Sequence, residues 1–113
     1  MNRAQYEKAR AILASDCAIR HRYINAEGET CAIGALALAA GIEVETLEGW
    51  GSTGIGFVEG YAPIKEEFGL DKEELYLIQR ANDAFSSFDQ IERRVAVLTI
   101  LDSIEVRELQ EIA

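Results

Sequence analysis

Histidine is almost missing from this chain, which has one, and cysteine is scarce, with two. His21, Cys17 and Cys31 are too few soft ligands, at spacings unlike those of known sites, to hold zinc, so no metal is expected. Met1 to Ala14 carries Arg3, Lys8 and Arg10 and has no apolar stretch ahead of a cleavage site. Without an export signal, the two thiols are expected to be free in a reducing compartment, and the expected location is the cytoplasm. A Cys17–Cys31 disulfide stays open as the alternative. Long apolar runs are missing too: the longest stretch of small apolar residues, Ala35 to Ala40, falls far short of a membrane span. Basic residues are outnumbered, 11 Lys and Arg against 20 Asp and Glu, for a net charge of −9. That balance argues against direct contact with a nucleic-acid backbone, which needs clustered cations. A phosphate loop is lacking as well, because Gly51-Ser-Thr-Gly-Ile-Gly56 has no Gly-Lys-Ser/Thr ending. No cofactor is expected.

What is present suits one domain: 113 residues, without internal repeat or linker, are enough for a single core. Helical spacing of Tyr6, Ala9, Ile12 and Leu13 predicts a helix over Asn2–Ala14 with Asn2 as its cap. Thr30 is the expected cap of a second helix that runs to Gly41 and places Cys31 in its first turn. That helix has almost no polar face, so it belongs in the centre of the molecule. A short helix is expected over Glu43–Glu48, and Pro63 opens another that ends at Gly69. Between them, residues 49–63 form an irregular loop rich in glycine and aromatic rings.

Asp71 with Glu74 three residues later has the form of a capping box. The helix it starts should bury Leu75, Ile78, Ala81 and Phe85. Ser87 with Gln90 is a second capping pattern, for a helix over Phe88–Ser103 whose core face would be Ile91, Val95, Leu98 and Leu101. Residues 104–113 continue or restart as an amphipathic helix. The sum is an all-α bundle of five or six helices, with room for one short β-hairpin near residues 19–30.

Two strings stand out from this background. Cys31-Ala-Ile-Gly34-Ala35-Leu36 opens the central helix, and Asn82-Asp83 precedes a helix that contains Val97, Leu98, Leu101 and Asp102. Together they resemble a family of small helical proteins of unknown function found in bacteria and phages. The pattern of that family is a Cys-x-x-Gly-Ala-Leu helix, an Asn-Asp pair, and a helix ending in Val-Leu-x-x-Leu-Asp. The resemblance covers about the last three-quarters of the chain when the glycine-rich stretch is counted as an insertion. It implies a helical fold and no established activity, and Trp50 to Tyr61 departs from the compact family pattern.

Two chemistries compete for these residues. A thiol at a helix start feels the positive end of the macrodipole, so Cys31 can be drawn as the nucleophile of a hydrolase or transferase, with His21 as base and Asp83 as its orienter. The competing reading is a buried thiol packed beside Gly34, with Asn82-Asp83 capping nearby backbone. The acidic residues support a third idea. Glu66, Glu67, Glu73 and Glu74, with Trp50, Phe57 and Tyr61 close by in sequence, form a candidate binding surface for a basic protein. Carboxylates on a rigid helical frame can imitate a nucleic-acid backbone, so the partner expected is a nucleic-acid-handling or defence enzyme, inhibited by a phage-type accessory factor such as an anti-CRISPR protein. Solubility alone is the plainer account of the charge, and a structural or homo-oligomeric role is the plainer account of the chain.

Overall fold

The computed structural model describes residues 1–51, 61–84 and 89–112, with side chains described as far as residue 104. Six helices are present among them: α1 (Arg3–Asp16), α2 (Ala32–Ala39), α3 (Val44–Trp50), α4 (Ala62–Phe68), α5 (Lys72–Asp83) and α6 (Gln90–Ile112). The fold is all-α.

Local chemistry sets most of the helix starts. The Asn2 side chain accepts from the Gln5 N–H at 2.8 Å while the Gln5 side chain takes the Asn2 N–H at 2.9 Å. Asp71 and Glu74 repeat the reciprocal pattern at the head of α5, at 2.8 and 3.0 Å. Each box satisfies two backbone donors that a helix start otherwise leaves without partners. Gly69 ends α4 in the left-handed region, φ +67°. A Cβ there would also lie 2.9 Å from the Met1 Cα, so the turn favours glycine on both counts.

Three expectations change in the structure. Cys31, not Thr30, caps α2, with the Gly34 N–H donating to its Sγ at 3.4 Å. Thr30 is occupied elsewhere: its hydroxyl donates to the Asp16 carbonyl at 3.1 Å and its carbonyl accepts from Ala18 and Ile19. No strand forms near residues 19–30. Thr30 makes isolated bridges to Cys17 on one side and Ile24 on the other, so neither side extends into a ladder. On α6 the buried stripe is Arg93, Val97, Leu101 and Ile104, whereas Ile91 and Val95 are 71% and 59% exposed. Continuous apolar sequence from Val95 to Leu101 fits several registers, and Arg93 turns the helix by finding backbone acceptors inside the molecule. That helix then runs unbroken through Ser103. Its cap is Asp89, which accepts from the Glu92 N–H at 2.8 Å. Ser87, Phe85 and Phe88 lie outside the described residues.

The core is built around α2, where Ala32 to Ala37 are all buried. Leu13 of α1, Leu47 of α3, Ile64 and Phe68 of α4, Leu75 and Ile78 of α5, and Val97 and Leu101 of α6 join the same core. Burying each such side chain contributes about 2 kcal/mol, which is why an alanine-rich helix suits the centre: small residues admit neighbours from every side. Outside this core, Asp102 joins α6 to α1, accepting from the Tyr6 hydroxyl at 2.6 Å and from Arg10 Nε at 3.2 Å. That hydrogen bond to the carboxylate holds the Tyr6 phenol above its ordinary pKa. No helix among the described residues is long and apolar enough to cross a membrane.

Candidate functional site

The loop over residues 17–24 wraps the N-terminal end of α2, and Gly34 is the reason it can. The Tyr23 carbonyl accepts from the Cys31 N–H at 3.3 Å, and a Cβ on residue 34 would sit 2.0 Å from that same oxygen. Cys-x-x-Gly is therefore a packing unit: the first residue caps the helix and the fourth lets the loop backbone lie against it.

Asn82 fastens this arrangement from α5. It is 1% exposed. Its Oδ1 accepts from the Ala32 N–H at 3.1 Å, and its Nδ2 donates to the Ile19 carbonyl at 3.0 Å and to Asp83 Oδ1 at 2.8 Å. Asp83 Oδ1 also accepts from the backbone N–H of His21 at 3.1 Å. From α6, Arg93 Nε donates to the Asn82 carbonyl and its NH1 group to the Ala18 carbonyl, while Arg94 Nε donates to the Cys17 carbonyl. The two strings picked out in the sequence thus meet in space, and what joins them is a buried polar network that satisfies loop backbone.

A cavity of about 100 Å³ opens at this junction, lined by His21, Arg22, Tyr23, Cys31, Gln79 and Asp83. The three residues of the drawn triad share it. Their contacts are not those of a triad. Among the described residues no hydrogen bond joins the imidazole to the thiol or to a carboxylate; Asp83 holds the His21 backbone instead. His21 adopts φ 65°, a left-handed conformation that histidine tolerates better than most residues.

Cys31 is 3% exposed. Burial pushes its thiol up to about 12, the Gly34 N–H pulls the other way, and the nearby Asp83 charge adds to the rise. Cys17 is likewise free, buried and raised to about 12, chiefly by burial. The macrodipole argument for a reactive Cys31 is thereby outweighed: an eight-residue helix offers less than desolvation removes. Burial also lifts the Tyr23 phenol to about 12, although Gln79 Nε2 donates to it at 3.3 Å.

The acidic candidates separate into different roles. Glu66 and Glu73 are exposed. Glu67 is half-buried and paired with Lys8. Glu74 is buried, its carboxylate engaged with the Asp71 N–H, so it leaves the set a partner can reach. Trp50 stacks edge-on against Tyr23, with centroids 5.3 Å apart, and Tyr61 lies under the Lys72 ammonium at 5.1 Å. Both rings are half-buried and pack on the core. Phe57 falls outside the described residues. Among the described residues no three His, Cys, Asp or Glu side chains gather closely enough to hold a metal ion.

Sequence reasoning did not assign roles to Tyr23 and Gln79 in the cavity, or to Arg93 and Arg94 as clamps. The available signal was the Arg93-Arg94 pair set directly ahead of the apolar stretch from Val95 to Leu101. Compared with models of known families, with curated proteins and with solved structures, the chain matches none.

Proposed function

We propose that this protein is a non-enzymatic binding factor that docks on a basic protein partner through its exposed carboxylates. One observation carries the reading. Glu43, Glu45, Glu48, Glu66 and Glu73 are all exposed, and none of them makes an ion pair among the described residues. Set within a net charge of −9, they present a negative field that no ion pair among the described residues offsets. Such a field steers association with a cationic surface, and the groove of a nucleic-acid-handling enzyme is a surface of that kind. An inhibitor of phage type, blocking a host defence enzyme, is the form of this function that best suits the size and charge of the chain.

The experiment is affinity capture from a host lysate at low and high salt, with Glu66→Gln and Glu73→Gln in parallel. The reading predicts a partner with a basic surface whose capture falls steeply with salt and falls again in the double variant. Capture indifferent to both salt and charge removal contradicts it.

A second reading is favoured by the cavity: Cys31, His21 and Asp83 line one space, as a cysteine-dependent hydrolase or transferase would require. The enclosed thiol and the absence of a bond from the imidazole to either partner weigh against it.

A further inference from the structure

Arg22 and Asp83 line the same cavity of about 100 Å³ without forming an ion pair. Asp83 directs Oδ1 to the His21 N–H and to Asn82 Nδ2, and no described group hydrogen-bonds Oδ2. Arg22 lines the cavity and is exposed. The floor is uncharged, because burial keeps both the Tyr23 phenol and the Cys31 thiol protonated up to about 12. Gln79 adds a neutral amide held at 3.3 Å from the Tyr23 oxygen.

Charge decides what such a cavity can hold. A simple anion would meet the Asp83 carboxylate, and a simple cation would meet the Arg22 guanidinium. A metal ion would find a single carboxylate and too few hard ligands. A ligand bearing both signs satisfies both side chains at once, each through a charge-assisted hydrogen bond. A cavity of about 100 Å³ admits only a small molecule, since sites for drug-sized ligands run to about 300 Å³ or more. We propose that this cavity is a binding site for a small zwitterion, an α-amino acid with a short side chain, whose carboxylate pairs with Arg22 and whose ammonium pairs with Asp83. This site is independent of the acidic docking surface and of any thiol chemistry.

The test is an NMR titration of the ¹⁵N-labelled protein with glycine and L-alanine. Acetate and methylamine serve as the two single-charge halves. Saturable shifts of the His21, Arg22, Tyr23 and Gln79 amides are expected with the amino acids and not with either half at the same concentrations. Arg22→Gln, at an exposed position, should keep the spectrum of the fold and weaken binding by about tenfold or more. Asp83→Asn should weaken it similarly while its amide oxygen still accepts the His21 N–H, and a thermal melt shows whether that variant stays folded. The proposal is overturned if neither amino acid gives saturable shifts. It is equally overturned if acetate or methylamine binds as tightly as glycine, or if Arg22→Gln leaves the affinity unchanged.

Discussion

The Asn82 carboxamide oxygen accepts the Ala32 backbone N–H at 3.1 Å, across 50 residues of chain. A side chain at the end of α5 thereby completes the first turn of α2, supplementing the weak sulfur cap of Cys31. Everything at the candidate site depends on this join, since the same amide holds the Ile19 carbonyl and the Asp83 carboxylate that fixes His21.

Asn82→Ala should therefore be costly. It leaves one buried donor and one buried acceptor without partners, a loss of about 2–6 kcal/mol at about 1–3 kcal/mol for each unsatisfied group. Asn82→Asp keeps the acceptor for Ala32 but sets a carboxylate against the Ile19 carbonyl and Asp83. It should be at least as damaging at neutral pH and recover partly in acid. Urea unfolding of both variants at two pH values checks this, and a cost below about 0.5 kcal/mol for Asn82→Ala would show that the join is incidental.

Gly34 and Gly28 offer a matched comparison. At Gly34 a methyl group would lie 2.0 Å from the Tyr23 carbonyl oxygen, and backbone cannot give way cheaply. Gly34→Ala should cost about 3 kcal/mol or prevent folding, despite the better helix propensity of alanine. At Gly28 nothing lies within 4 Å, but φ is +82°. Gly28→Ala should cost only about 1 kcal/mol, from backbone strain alone. Equal costs, read from denaturation midpoints, would mean that the close approach of loop and helix is not what requires Gly34.

How much of this was legible in the sequence follows from the range of each interaction. The cap at Asn2 and the capping box at Asp71 were readable because donor and acceptor lie three residues apart. Pro63 and Gly69 marked the limits of α4 for the same reason. The face of α6 was not readable. Its apolar middle fits several registers, and the choice is made by Arg93, whose acceptors on Asn82 and Ala18 are local only in space. Thr30 was an equally good cap on local grounds, yet its hydroxyl donates to the Asp16 carbonyl at the end of α1 and its carbonyl accepts from Ala18 and Ile19 in the loop that follows. At the site, the grouping of His21, Cys31 and Asp83 was anticipated from residue type. That Asp83 holds backbone rather than imidazole requires coordinates.

Stability should fall in alkali. An unfolded thiol ionises near about 8.5, whereas Cys17 and Cys31 in the folded protein stay protonated up to about 12. Their contribution is fully present below the unfolded value and is lost as the pH rises from there through the folded value. Between about pH 8.5 and 12 each thiol removes about 1.4 kcal/mol per pH unit, and Tyr23 adds to the loss above about pH 10. Cys17→Ala should make the decline shallower by one thiol's share. Urea midpoints that stay level from pH 8 to 11 would contradict the burial of these groups.

Native alkylation addresses the central claim, that the start of α2 is a structural junction and its buried sulfur an inert cap. Iodoacetamide at pH 8, followed by intact mass, should leave Cys31 unmodified in the folded protein and label it fully once urea is added. Rapid one-to-one labelling of native Cys31, faster than that of a free thiol and abolished by His21→Ala, would contradict the account and establish the cavity as a cysteine-dependent active site.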